Sequence, residues 1–323
     1  MRRMCSALAA VAAAVLVWGA SALAQDWPVR PVRIVNTFAA GGAADILARM
    51  VADHLSVAFK QQFFVETRAG AGGVLGLQSV VHSEPDGYNF AITSVAHLVI
   101  SPVTNAHIGY DPIKGLTNVA FIAGSPIVFV VNPSIGVNTL GDFVGRGKKG
   151  KPLTYSSSGI GSNGQLVAEL FAQVANTNFE HVPYKGASQG ITDLLGGHIA
   201  FSSQTVSSTS AYIRSGTLIP LAHSADQRLA DYPDVPTFKE LGYPDLVTTT
   251  WFALSGPAGL PKEIGDRLNR EIIKIMAKPE VQKKIREDGQ VTQPMTPDSF
   301  NQFLRQEITR WKPVIVRAGL ASK

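Results

Sequence analysis

The stretch VAFIAGSPIVFVVNP, residues 119 to 133, is apolar and rich in β-branched residues over fifteen positions. That is roughly three times the ordinary strand. Its only interruption is Gly124-Ser125-Pro126, so the run reads as a chain crossing from one body to another and broken near those three residues. A second long β run, VTTTWFALSGPAG at 247 to 259, can cross back. Two crossings predict two lobes joined by a two-segment hinge, with a cleft between them. The boundaries are residues 25 to 124 plus 249 to 323 for one lobe and 125 to 248 for the other.

On both sides of the crossings, short strands alternate with amphipathic helices, the signature of an α/β protein. VRIVNTFA (32 to 39), FFVETR (63 to 68) and YNFAITS (88 to 94) read as strands in the first part. LTYSS (153 to 157), FEHVPYK (179 to 185), HIAFSSQ (198 to 204) and LIPLAHS (218 to 224) do so in the second. ADILARMVADHLSVAF (44 to 59) is a helix with Ile46, Leu47, Met50, Val51, Leu55 and Ala58 on one face. VLGLQSVVHS (74 to 83) and QLVAELFAQV (165 to 174) are helices as well.

The chain opens with Arg2 and Arg3, continues through ALAAVAAAVLVWGASALA and reaches Ala22-Leu23-Ala24, a small-x-small cleavage pattern. Residues 1 to 24 are therefore read as a secretory signal cut after Ala24, placing the mature protein in an exported compartment. Cys5, the one cysteine of the chain, lies inside that signal. The mature chain then has neither disulfide nor thiolate metal site. The formal charge of +5 falls to about +3 without Arg2 and Arg3, a field suited to small anions. The basic run RGKKGK, 146 to 151, is spaced by glycine and has no interleaved aromatics. It reads as a solvated loop, and no nucleic-acid site is expected.

Three times a strand runs into glycine and then into a helix: NTFAAGGAAD (36 to 45), TRAGAGGVLG (67 to 76) and SSSGIGSNGQ (156 to 165). Glycine lets backbone N–H groups approach an anion closely, and the positive end of the helix dipole favours it. The middle loop reads equally well as a tight turn alone. The other two fall in different lobes, so a ligand with two anionic ends fits the pattern.

Two enzyme readings compete with this. Gly159, Gly161 and Gly164 form G-x-G-x-x-G after a strand, with Glu180 about 20 residues on, as in dinucleotide-binding proteins. An exported protein meets no maintained dinucleotide pool, so no cofactor is expected. GASQG, residues 186 to 190, matches a nucleophile elbow around Ser188. Only His198 and His223 follow it, no HGGG motif precedes it, and a serine hydrolase is the lesser reading. The seven histidines show no metal-ligand spacing. His97, after Thr93-Ser94 at a strand end, reads equally as a ligand contact and as a hydrogen bonder in the cleft wall.

Seven segments, in order, resemble the signature segments of the Bug family. They are 27 to 52, VETRAGAGGVLG (65 to 76), PDGYNFAITS (85 to 94), 110 to 134, LTYSSSGIGSNGQLVAELF (153 to 171), HVPYKGASQGITDLLGGHI (181 to 199) and 231 to 261. These are extracytoplasmic solute receptors of tripartite tricarboxylate transporters. The resemblance implies the type II periplasmic binding protein fold and a monomeric receptor without catalysis. Such a receptor closes on a small carboxylate and delivers it to membrane transporter components; a receptor that signals to a membrane kinase has the same fold.

The resemblance further implies a grip on the carboxylate by two loops. One comprises Phe38, Ala39, Ala40, Gly41, Gly42, Ala43 and Ala44. The other comprises Ser156, Ser157, Ser158, Gly161, Ser162 and Asn163. Thr93, Ser94, Tyr184, Lys185, Gly186, Gln204 and Thr205 complete the site by position. The chain departs from the family pattern at Gln204, where relatives often carry an Asp able to meet a ligand ammonium, and at Ala40, where a proline is common. Gln204 cannot neutralise an amino group, which points to carboxylates without an amine.

Overall fold

The computed structural model describes residues 27–148, 151–317 and 319–322. The signal segment and its cleavage site lie outside the described residues, as do Lys149 and Gly150 of the basic run.

The first part of the chain alternates β1 (Val32–Asn36), α1 (Ala43–Phe59), β2 (Phe63–Thr67), α2 (Val74–Val81) and β3 (Asn89–Ser94). A π-helical turn, Ala96–Ile100, and the short α3, Ser101–Thr104, lead into β4 (Leu116–Val131). The second part runs through α4 (Leu140–Gly147), β5 (Leu153–Ser157), α5 (Asn163–Ala175), β6 (Phe179–Pro183) and α6 (Ala187–Leu195). It continues with β7 (Phe201–Thr205), α7 (Val206–Arg214) and β8 (Ile219–His223). The chain then returns through β9 (Thr249–Pro257) to α8 (Lys262–Met276), α9 (Pro279–Glu287) and α10 (Pro297–Arg317).

The strands form one curled sheet in the order β2-β1-β3-β9-β4-β7-β5-β6, with β8 also on β4. The two long runs predicted to cross lie at its centre. β4 is a single 16-residue strand with no break; what changes along it is the partner. Leu116 to Pro126 pair antiparallel with β9, whereas Ile127 to Val131 pair with β7, and the stretch from Val128 also pairs with β8. Gly124 permits this, because a Cβ there would lie 2.5 Å from Thr249 Cγ2. The expected break at Gly124-Ser125-Pro126 is thus a handover between partners within continuous β structure.

Each half has a core of its own, and a further cluster of the first half also takes in Leu166 of α5. On one face of the first half, Val32 and Ile34 of β1 meet Leu47, Val51 and Leu55 of α1 and Leu268 and Ile272 of α8. On the other face Val35 packs with Leu77, Val80 and Trp251. The predicted apolar stripe on α1 is narrower than its sequence pattern: Ile46 and Met50 are half-buried and Ala58 is exposed. In the second half, Phe129 is ringed by Phe171 at 5.3 Å, Phe201 at 5.1 Å and Phe238 at 4.9 Å between ring centroids. Separate cores on the two sides of the β4 handover make this a two-lobed α/β protein.

Candidate functional site: a cavity at four helix N-termini

Four helices start at one place. Gly42, Ala43 and Ala44 at the head of α1, Ser162, Asn163 and Gly164 at the head of α5, Ala187 of α6, and Thr205 and Ser208 at the head of α7 line a cavity of about 40 Å³. That is room for about three waters. Phe38, Ala39, Ser94, Ala96, Ile127, Ser158, Thr250 and Phe252 complete its wall. Among the described residues no lining side chain is charged. The polarity comes from hydroxyls, one amide and helix N-termini, each of which carries about half a positive charge. An anion is the ligand such a site stabilises.

The first loop is held from below by Asp45. Its carboxylate accepts from Gly41 N at 3.0 Å, Asn36 Nδ2 at 3.2 Å and Arg49 Nε at 3.1 Å. Gly41 has φ +80°, a left-handed conformation natural to glycine. In the second loop Ser157 Oγ bonds His181 Nε2 at 2.7 Å and accepts from Gly159 N at 3.2 Å. Burial lowers the His181 pKa to about 4, so at neutral pH this ring is uncharged. Gly161 N donates to Gln165 Oε1 at 2.8 Å, and Ser162 caps α5 by accepting from Gln165 N at 3.2 Å.

Each glycine of the G-x-G-x-x-G has its own reason. Gly159 and Gly161 have φ of +128° and +75°, and a Cβ on Gly164 would lie 2.2 Å from the Ser203 carbonyl oxygen. Valine at Gly41 or Gly161 therefore meets strain in the backbone, more than a lack of space: the nearest atoms to a Cβ are 3.9 Å and 3.5 Å away. Both substitutions should weaken carboxylate binding at least tenfold by isothermal titration, and Ser188→Ala should not. Wild-type affinity in folded Gly41→Val and Gly161→Val proteins would refute the two-loop grip.

Of the residues expected at the site, Phe38, Ala39, Gly42, Ala43, Ala44, Ser94, Ser158, Ser162, Asn163 and Thr205 face this cavity. The others stand behind or beside it. Thr93 Oγ1 bonds Ser255 Oγ at 2.8 Å inside the sheet, and Ser156 Oγ bonds Ser202 Oγ at 2.7 Å. His97 is fully buried beneath Phe38, with ring centroids 5.1 Å apart. Its Nδ1 accepts from Ser94 N at 3.1 Å, and burial, only partly opposed by a backbone hydrogen bond with Gly73, lowers its pKa to about 4. His97 thus supports the aromatic wall from the layer below.

Tyr184 OH donates to Asp193 at 2.5 Å and Lys185 offers its carbonyl to Ala39 N at 3.3 Å. Ala40 accepts from Ser188 Oγ at 3.1 Å, and Gly41 and Gly186 lie against Ser188 and Ala39. Ser157 bonds into its own loop, and Gly161 faces a neighbouring chamber. Gln204 is buried, and its Oε1 accepts from Ser158 Oγ at 2.7 Å. Its Nε2 has no partner among the described residues, so it reaches the cavity wall through Ser158.

Six wall residues escaped the sequence reading: Ala96, Ile127, Ala187, Ser208, Thr250 and Phe252; Gly164 was read in the third glycine loop. Ser208 had a usable signal, since QTVSST is another strand running into a helix, with hydroxyls where the other loops have glycine. The loops meet directly across the cavity: Ala43 N donates to Ser208 Oγ at 3.2 Å, and Asn163 Nδ2 donates to Thr250 Oγ1 at 2.9 Å.

Two α/β lobes around an uncharged cavity of converging helix N-termini define a solute-binding receptor of the type II periplasmic class. Residues 47–320 match the model of the tripartite tricarboxylate transporter family receptor, and the chain belongs to that family. Among solved structures, it resembles R. palustris Rpa4515 with adipate at 30% identity and TM-score 0.88, over 91% of this chain and 99% of that one. Periplasmic binding protein BugD has 26% identity and TM-score 0.88, over 92% and 100%. MatC (Rpa3494) from Rhodopseudomonas palustris with bound malate has 25% identity and TM-score 0.85, over 90% and 100%.

Proposed function

We propose that this protein captures an amine-free carboxylate in the cavity at the four helix N-termini and delivers it to the membrane components of a tripartite transporter. The observation that carries the proposal is the convergence of the first turns of α1, α5, α6 and α7 on a space with no charged side chain among the described residues. Such a site favours an anion through fixed dipoles. It has no carboxylate at the wall for a ligand ammonium, and an ammonium buried there without a partner would cost several kcal/mol. Adipate and malate, bound by two of the similar receptors, are both acids without an amine.

In this reading the protein is an exported periplasmic monomer, cut after Ala24. The lobes divide at 124/125 and 248/249, and no reaction is catalysed. Ser188 Oγ donates to the Ala40 carbonyl, and no histidine is among its hydrogen-bond partners in the described residues. That arrangement suits a loop contact and lacks the base a nucleophile needs.

A thermal-shift screen of succinate, malate, citrate, adipate, terephthalate, protocatechuate, glutamate and aspartate tests the ligand class. An amine-free acid at 100 times its Kd should stabilise the fold by about 2.7 kcal/mol. A shift with glutamate or aspartate alone would overturn the reading.

A further inference from the structure

A larger chamber of about 340 Å³ lies beside the anion cavity, on the other side of Ser162, which lines both. It is built from the two halves of the molecule. Val74 of α2 and Ser101, Thr104 and Asn105 around α3 form one side, and Ile160 to Ser162, Gln165 and Leu166 form the other. The halves are in close contact there, since a Cβ on Gly161 would lie 3.5 Å from Ser101 Oγ and 3.7 Å from Thr104 Oγ1.

The lining has a definite chemistry. The lining is mostly apolar; among the described residues no side chain there is charged, and the polar groups are hydroxyls and amides. Ser101 is only 4% exposed, yet its hydroxyl, like that of Thr104, has no hydrogen-bond partner among the described residues. The Gln165 side chain spends its oxygen on Gly161 N and keeps its amide donors free among those residues. Ser101 and Thr104 both line the chamber, so their hydroxyls can bond a ligand oxygen there. A charge placed there would find no counter-charge among the described lining residues.

We propose that this seam is a second small-molecule site, for an uncharged molecule with an apolar body and at least two hydroxyl or carbonyl oxygens. Because both halves supply its walls, it exists only while they are closed together. A molecule seated there therefore holds the closed form, and by linkage favours whatever else that form binds.

The test needs no carboxylate, so it is independent of the anion reading. The full mature chain is titrated with 4-hydroxybenzyl alcohol and with 1,6-hexanediol, and amide shifts are followed by NMR. Small-angle scattering is recorded at saturation. Saturable shifts at Thr104, Gly161 and Leu320 are expected with at least one probe, together with compaction of the molecule. Thr104→Phe, which fills the chamber, should weaken that binding at least tenfold. Ser101→Ala, which removes a hydroxyl without adding bulk, should weaken it severalfold, with melting curves confirming that both variants fold. Absence of saturable shifts with both probes, or wild-type binding in both variants, would overturn the proposal.

Discussion

Gly186→Val should lose carboxylate binding by 100-fold or more, about 2.7 kcal/mol, while melting within a few degrees of the wild type. Gly186 has an extended backbone, φ 170°, which valine adopts without strain. What valine cannot do is close: a Cβ there would lie 2.5 Å from Ala39 Cβ and 3.0 Å from Ala39 N. Ala39 belongs to the first half and Gly186 to the second, so the clash exists only when the halves meet. Gly72 is a second such point, since a Cβ on it would lie 2.4 Å from the Ile160 carbonyl oxygen. If ligand binding is a rigid-body closure, small-angle scattering of the wild type should show compaction with a stabilising carboxylate. The Gly186→Val protein should keep the open profile. Undiminished affinity in that variant would mean that the contact between Ala39 and Gly186 plays no part in binding.

Acid should destabilise the protein well above the range where carboxylates titrate. Burial lowers His97, His181 and His223 each to about 4, below the value near 6.5 expected when unfolded. Between those limits the unfolded chain binds more protons than the folded one, so stability is fully present above about pH 6.5 and falls as pH drops toward 4. Each histidine contributes at most about 1.4 kcal/mol per pH unit. Glu307, whose carboxyl burial raises while the Trp251 hydrogen bond opposes it, works the other way, and one proton cannot offset three. Denaturant midpoints should therefore decline steeply from pH 6.5 to 4.5, with a shallower slope in His97→Asn. A flat profile over that range would show that these rings are not held neutral.

Much of the fold is legible because the strands are β-branched runs bounded by glycine or polar loops, and packing does not overrule that local preference. The glycine loops were legible for a similar reason: left-handed φ at Gly41 and Gly161 leaves a mark in the residue type. The π-helical turn Ala96–Ile100 left none. Ala96-His97-Leu98-Val99-Ile100 is an apolar run with no turn or cap signal, and it packs against α10 and Phe38. The handover in β4 was visible as three odd residues, but the break they suggested was wrong in kind, because the identity of a strand's neighbour is a tertiary fact. The cavity wall is partly illegible for a plainer reason. Ala96, Ala187 and Phe252 present backbone or hydrocarbon there, and such residues look the same wherever they are buried.

The shared strand β4 also governs how this molecule can be taken apart. A biosensor made by splitting the gene near residue 125 would cut the strand that both halves of the sheet pair with. Each fragment would then carry unsatisfied backbone edges and a strong tendency to aggregate. Reporter domains belong instead in surface turns such as Gly136, Gly216 or Gly242, where a side chain would meet nothing within 4 Å. At those places the chain can be lengthened while the strand that couples the two lobes stays whole.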